Sequence, residues 1–420
     1  MREISNRYSP RSREWKTSSN GSSGVAARRA VIKSLAGMDE NFNLSGRDRA
    51  FALRLLRETT VWRARLDRAL ARFCSKPLRD LDGVVLAALR SGAAQLIILR
   101  TPSHAAVSAT VSALSGHRAS GLVNAVLRKL ASEGEPDTIE APLNEIWSHP
   151  SSLTDRWVSR FGREKTEKLM EWNNSVPDIG GCIPGLSDNL EKGLYVNNYR
   201  ILERTGMNPL RSTTDMVYIQ DEAAAVIAEV AAELAEGGSV LEIGAAPGGK
   251  THHLQATAHY VISLDSSFSR MHRWLENRAR LGWQNSIPVV ADGRMMPFKN
   301  GFDLVFIDAP CTNTGVYRRR CDARWKWSDE YLENSVALQR ELLRSAGELV
   351  MPGGILIYST CSLEEEENRL QVESFEENTE FFHRENLSGP DELVRDGMIC
   401  IFPPDHGIDG LFAAAWRRDQ

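Results

Sequence analysis

The stretch from Ser239 to Thr251, SVLEIGAAPGGKT, constrains this chain more than any other. Val240, Leu241 and Ile243 are spaced as a short buried strand, and the glycines after them form a turn that runs into a helix. Glycine opens backbone angles closed to other residues, so such a turn can present bare N–H groups at a helix start. That is a cradle for part of a nucleotide or nucleoside.

Two ligands fit the turn. Gly244, Gly249, Lys250 and Thr251 satisfy the phosphate-loop pattern, and Phe302 to Asp308, FDLVFID, passes for the strand that carries a magnesium-binding acid, which together describe an ATPase. Against this, Tyr260 to Asp265, YVISLD, ends in an acid about 20 residues beyond the first glycine, where a Rossmann-type site meets ribose hydroxyls. A phosphate loop has no use for that acid.

From Asp215 onward the pattern predicts helices over 223–234, 250–258, 267–281 and 329–350, alternating with strands over 240–243, 261–265, 288–291, 304–308 and 355–360. Alternation of this kind implies a parallel sheet covered on both faces, with ligands at the carboxyl ends of its strands. Asp265, Asp292 and Asp308 fall at three such ends, and Cys311 and Cys361 just past two. A nucleophilic thiol needs help to ionise, and a helix starting near Leu363 would lend its dipole to Cys361. The acids Glu364 to Glu367 are expected to flank that start and face water. Between the cysteines lies Tyr317 to Trp327, YRRRCDARWKW, where Arg318, Arg319, Arg320, Arg324 and Lys326 are placed to hold phosphates beside Trp325 or Trp327.

A length of 420 residues suggests two or three domains. The net charge of −4 conceals an asymmetry: residues 1–135 hold 23 Lys and Arg against 11 Asp and Glu, while the remainder holds 28 against 44. The first third is therefore a candidate polyanion-binding module. Six scattered cysteines without a C-x-x-C pair argue against a metal site, and with no secretory signal they are expected as free thiols in a cytoplasmic protein. No apolar run is long enough for a membrane span.

The expected organisation is a flexible tail over 1–24, an all-α domain over 25–135, a connector or small subdomain over 136–215, and an α/β domain over 216–420. In the all-α part, Ser45 and Asp48 mark a helix start, and Phe51, Leu55, Trp62, Leu66, Leu70 and Phe73 predict one long amphipathic helix. Val84 to Leu99 reads as the buried central helix of a bundle, and His104 as a structural histidine at a helix start. The connector is broken by prolines, and residues 179–194 have no clear period.

The region 25–135 resembles the NusB RNA-binding fold in Arg90-Ser91-Gly92, Gln95-Leu96, Pro102-x-His104-Ala105-Ala106 and Gly121 to Arg128. Gly244 to Thr251, Asp308-Ala309-Pro310-Cys311 with Thr314-Gly315-Val316, and Tyr358-Ser359-Thr360-Cys361-Ser362 are similar to the signatures of RNA cytosine-5 methyltransferases, most closely the Fmu/Sun (RsmB-like) branch. The resemblance implies a Rossmann-like methyltransferase domain behind a NusB-like domain and a monomer acting on ribosomal RNA. S-adenosyl-L-methionine would be held by Gly244, Ala245, Ala246, Pro247, Gly248, Gly249 and Lys250 with Asp265, Arg270, Asp292 and Asp308. It implies Cys361 as the nucleophile toward cytosine C6 and Cys311 as the group that assists release, with Asp308 and Lys250 orienting or protonating the base. Departures are Glu242 and Gly244 where an acid and a cysteine are usual, Arg320-Cys321 before Asp322, and a connector that is shortened after Asn173-Asn174-Ser175-Val176-Pro177. That shortening leaves a second reading open, a ribosome-assembly factor that binds RNA through an inactive methyltransferase domain.

Overall fold

The computed structural model describes residues 23–38, 43–137, 140–183, 190–203 and 217–420. The expected tail through 22, and parts of the connector at 184–189 and 204–216, lie outside the described residues. The chain divides into two compact units between Thr154 and Asp155.

The first unit is helical: α1 (Ser23–Leu35), α2 (Gly46–Val61), α3 (Arg63–Ala71), α4 (Gly83–Ile97), α5 (Ser103–Ala113), α6 (Ser120–Glu133) and α7 (Leu143–Ile146). α4 lies at its centre, as its apolar sequence predicts. The side chain of Asp82 caps its start by accepting from the N–H groups of Val84 and Val85, a device that contributes about 1 kcal/mol. Gly92 admits Leu127 of α6 so closely that a Cβ would lie 2.3 Å from Leu127 Cδ1. Gln95 is fully buried, accepting from Arg28 Nε at 2.7 Å and donating to the Thr110 hydroxyl at 3.1 Å. The single long helix expected from Ser45 to Phe73 is two helices, broken at Trp62 (φ −93°, ψ 18°). The break follows Thr59, Thr60 and Val61, β-branched residues that weaken a helix, and both threonine hydroxyls bond back to carbonyls four residues earlier.

The second unit takes in most of α8 (Ser151–Phe161), then α9 (Arg163–Asn174) and a small antiparallel sheet of β1 (Ile179–Cys182), β2 (Glu191–Lys192), β3 (Tyr199–Glu203) and β4 (Tyr218–Ile219), in the order β2-β3-β1-β4. The main sheet follows with α10 (Glu222–Leu234), β5 (Ser239–Ile243), α11 (Thr251–Thr257), β6 (Tyr260–Asp265), α12 (Phe268–Leu281), β7 (Ser286–Val290), β8 (Phe302–Asp308), α13 (Asp329–Gly347) and β9 (Val350–Thr360). It closes with α14 (Arg369–Glu377), β10 (Phe382–Glu385), β11 (Val394–Arg395), β12 (Met398–Cys400), α15 (Pro403–His406) and β13 (Phe412–Arg418).

Strands β7-β6-β5-β8-β9 are parallel, as the alternation predicts, but the sheet is mixed rather than wholly parallel, because β13 runs antiparallel to β9 and β10 to β12 complete that edge. Side chains alternate between two apolar layers: Val240, Leu304, Phe306 and Ile357 on one face, Leu241, Val305, Ile307 and Leu356 on the other. From β5 the chain moves outward to β6 and β7, then returns to β8 on the opposite side of β5. This reversal opens a crevice at the carboxyl ends of β5 and β8, the usual ligand position in such sheets.

Candidate active site

The glycine turn sits at this reversal. Gly244 has φ +81°, and a Cβ there would lie 2.3 Å from the Asp308 carbonyl oxygen, so glycine lets the ends of β5 and β8 meet. Lys250, buried at the start of α11, places Nζ 2.6 Å from Asp308 Oδ2. Burial works to lower the Lys250 pKa, but Asp308, Cys361 and Glu242 more than offset it, and the ammonium is held above its ordinary value.

Both cysteines reach this edge. Cys311 follows β8 and Cys361 follows β9, and their sulfurs are 3.2 Å apart. Cys311 is buried and Cys361 half-buried. The hydrogen bond to Cys361 and then burial push the Cys311 thiol well above the usual thiol range, so it remains the protonated partner. Asn313, at φ +62°, donates from Nδ2 to the Cys311 carbonyl at 2.7 Å and accepts from Cys361 Sγ at 3.4 Å.

The two loops are joined along their length. Gly315 N–H donates to the Cys361 carbonyl at 3.0 Å and Leu363 N–H to the Thr314 hydroxyl at 2.8 Å. Glu367 accepts from the Thr312 backbone, the hydroxyls of Thr312 and Ser362, and Gln339. The acid run therefore does not face water as expected: Glu364 and Glu367 are fully buried, and Glu364 accepts from Arg156 and Trp157. Nor does a helix begin at Leu363. A single 3-10 turn spans Glu365–Glu367 and α14 starts at Arg369, too far along to supply a dipole to Cys361.

Asp265 ends β6, buried, and accepts from Ala246 N–H at 3.2 Å, Ser267 N–H at 2.8 Å and Arg270 at 2.9 Å. Asp292 lies just past β7, half-buried, paired with Arg294 at 2.7 Å. Asp265, Asp292 and Asp308 thus share one edge of the sheet with Gly244, Ala245, Ala246 and Pro247, whereas Gly248 and Gly249 turn toward protein. A Cβ at Gly248 would meet Trp283 at 2.4 Å and one at Gly249 would meet Gln220 and Tyr218 at 3.3 Å. This set fits a nucleoside-bearing cofactor: Asp265 Oδ2 accepts a single described hydrogen bond and retains a lone pair for a hydroxyl. It does not fit a magnesium triphosphate. The Thr251 hydroxyl, which a phosphate loop needs on the metal, is fully buried and engaged with Glu242, Ser263 and Trp274.

Known proteins resemble this chain over most of its length. Residues 229–417 match the family described as 16S rRNA methyltransferase RsmB/F, and residues 15–132 match the NusB family. The ribosomal RNA small subunit methyltransferase B of Pasteurella multocida (strain Pm70) is 31% identical over 390 residues, spanning 84% of each chain. The chain belongs to the RsmB/F family of rRNA methyltransferases. The probable ribosomal RNA small subunit methyltransferase B of Bacillus subtilis (strain 168) is 29% identical over 92% of this chain and 94% of its own. Among solved structures, that of PH0851 shares the fold at TM-score 0.78 and 22% identity, covering 94% of this chain and 99% of its own. That of NSun6 from Pyrococcus horikoshii with SFG does so at TM-score 0.53 and 20% identity, covering 64% of this chain and 98% of its own. The family is one of S-adenosylmethionine-dependent enzymes. No described helix is long and apolar enough to cross a membrane.

The basic stretch of this RsmB/F-family chain is mostly interior, contrary to its sequence reading. Arg318 and Arg319 pair with Asp221 and Asp409, Arg318 lies 3.9 Å over Trp172, and Arg324 is fully buried against Asn173 and Asn174. Arg320 and Lys326 remain exposed. His104 stands at the start of α5, where its sequence placed it, and is exposed there. Sequence reasoning missed Glu367, Asn313 and Gln339. A positive φ at a non-glycine residue in Asn313-Thr314-Gly315 was foreshadowed only by an asparagine before a turn, and nothing in the acid run marks which glutamates point inward.

Proposed function

We propose that this enzyme methylates C5 of a cytosine in small-subunit ribosomal RNA, through a covalent bond between Cys361 and C6 of the base. The observation that supports this reading best is the 3.2 Å approach of two thiols from adjacent strand ends, beside the Lys250–Asp308 pair. Cytosine C5 is a poor carbon nucleophile. Addition of the Cys361 thiolate to C6 forms a C–S bond and pushes an electron pair toward C5, which makes C5 nucleophilic. Lys250 and Asp308 would protonate and orient the pyrimidine as that charge develops.

S-adenosyl-L-methionine would be held by Gly244, Ala245, Ala246, Pro247 and Lys250 with Asp265, Arg270, Asp292 and Asp308, and would supply an electrophilic methyl group there. Release of the base requires loss of the C5 proton and return of the C–S electron pair to Cys361 sulfur. Once the Cys361 sulfur is tied up in the C–S bond, the contact that keeps Cys311 protonated is gone; Cys311 would then lose its proton to solvent, and its thiolate would take up the C5 proton as the C–S pair returns to Cys361. The target base must leave its stack at a cost of a few kcal/mol, which favours an unpaired or remodelled RNA segment. The basic helical unit would contribute sequence-independent affinity. Bisulfite sequencing of 16S rRNA exposed to the enzyme and cofactor tests the reading. One cytosine becoming resistant to conversion is expected; methyl incorporation with every cytosine still convertible would contradict it.

A further inference from the structure

Away from the two sulfurs, Cys182 at the end of β1, Glu229 on α10 and His253 on α11 each direct a donor atom at the others, and these three atoms lie within 4.8 Å of one another. Cys182 and His253 are buried, and Glu229 is half-buried. His253 Nε2 is 2.5 Å from Gln220 Nε2, and the other amide atom, Gln220 Oε1, is buried without a hydrogen-bond partner. No described Lys or Arg forms an ion pair with Glu229. A carboxylate, a thiol sulfur and an imidazole nitrogen therefore converge around the Gln220 amide nitrogen, which also hydrogen-bonds Cys182; turning that amide over would bring its unpartnered oxygen to face them instead. A buried amide oxygen left unpartnered beside such a cluster is costly, and turning it onto a cation held there would satisfy it.

We propose that Cys182, Glu229 and His253, with the Gln220 amide turned over to offer its oxygen as the fourth donor, form a structural zinc site that ties β1 to α10 and α11. The donor chemistry selects the ion: a thiolate and an imidazole suit zinc and disfavour magnesium and calcium, which take oxygen. Thiolate and carboxylate balance the two positive charges of the ion, leaving a neutral set suited to an apolar surround. Zinc bonds of about 2.0 to 2.3 Å need only a modest inward movement of side chains that already face one another. Binding releases the Cys182 proton to solvent. The site also bears on the cofactor turn, because the Gln220 amide packs against Gly249, where an added Cβ would lie 3.3 Å away. Its ligands lie far apart in sequence, so none of the close-spaced zinc signatures reveals it.

The test uses the full chain carrying Cys311→Ser and Cys361→Ser, so that the active-site thiols bind no metal and the result is independent of the cytosine chemistry. The metal-stripped protein is titrated with zinc and with cobalt, reading bound metal by mass spectrometry, the thiolate-to-cobalt charge-transfer band, and the thermal midpoint. About one zinc per chain, the cobalt band and a raised midpoint are expected. Further change of Cys182→Ser should abolish the band. Glu229→Gln, which preserves shape, should weaken zinc binding by more than the 10- to 100-fold typical of changes around a ligand. Substoichiometric zinc in the parent overturns the proposal. So does zinc binding unchanged by Glu229→Gln, which decides the matter should Cys182→Ser fail to fold.

Discussion

The backbone N–H of Thr312 donates to the carboxylate of Glu367 at 2.9 Å, across 55 residues of sequence. Through that bond, and through the hydroxyls of Thr312 and Ser362, one buried carboxylate holds the residue after each cysteine. Glu367→Ala would leave several buried donors unpaired, at about 1–3 kcal/mol each, and let the loops separate. A displacement of about 1 Å at a reacting centre costs on the order of 100-fold in rate. The expected outcome is a fall of that size in kcat, with cofactor affinity close to wild type and a lower melting temperature. Steady-state kinetics beside cofactor titration check it, and an unchanged kcat would remove Glu367 from the positioning of the sulfurs.

Lys250 and Asp308 are held as an ion pair at the reversal of the sheet. Lys250→Met removes the charge and proton donor and leaves Asp308 without its cation. Methyl transfer should fall at least about 100-fold, the usual scale for loss of an acid–base group. RNA affinity, measured by filter binding, should change little, since the ammonium is buried and paired.

Glu242 lies buried under the glycine turn, and burial pushes its carboxyl up to about 7, against the pull of the Thr251 and Ser263 hydroxyls and Lys250. In the unfolded chain the group titrates near an ordinary glutamate value of about 4.3. Between those values the folded chain keeps a proton that the unfolded chain has released, so this group makes stability fall as pH rises toward 7. Glu242→Gln removes that slope and should stabilise the protein by about 3 kcal/mol at pH 8, with a much smaller gain at pH 5. Denaturant unfolding of both proteins at the two pH values checks the sign; a variant that is less stable at the higher pH would contradict it.

Arg319 donates to Asp409 at 2.7 Å, to Asp221 at 2.6 Å and to the Asp178 carbonyl at 3.1 Å. Asp409 is fully buried; burial and then Asp221 push its carboxyl up while Arg319 and Arg318 pull it back. Arg319→Ala should therefore cost about 3–5 kcal/mol, the scale for breaking a buried pair. Exposed Arg320→Ala should stay within about 0.5 kcal/mol. Equal effects in denaturant unfolding would mean that the basic stretch is surface, as its sequence suggests.

The parallel strands and the two cysteine loops were legible because period and glycine placement act locally. Val240 to Gly244 and Leu304 to Cys311 read correctly from their apolar runs and the turns that end them. What escaped depends on distant partners. Glu364 and Glu367 look like a solvated acid run until Arg156, Trp157, Thr312 and Gln339 arrive from elsewhere in the chain. Arg318, Arg319 and Arg324 look like a phosphate-binding edge until Asp221, Asp409 and Asn174 claim them. The break at Trp62 was marked by its β-branched neighbours, but helical spacing of the apolar residues continues through it.

The chemistry assigned to the sulfur pair is tested most directly by incubating Cys311→Ala with 16S rRNA and S-adenosyl-L-methionine and running the mixture on a denaturing gel. The account predicts an RNA–protein band that survives denaturation, absent from Cys361→Ser and from a variant lacking both thiols. A denaturation-resistant band formed by Cys361→Ser would contradict it.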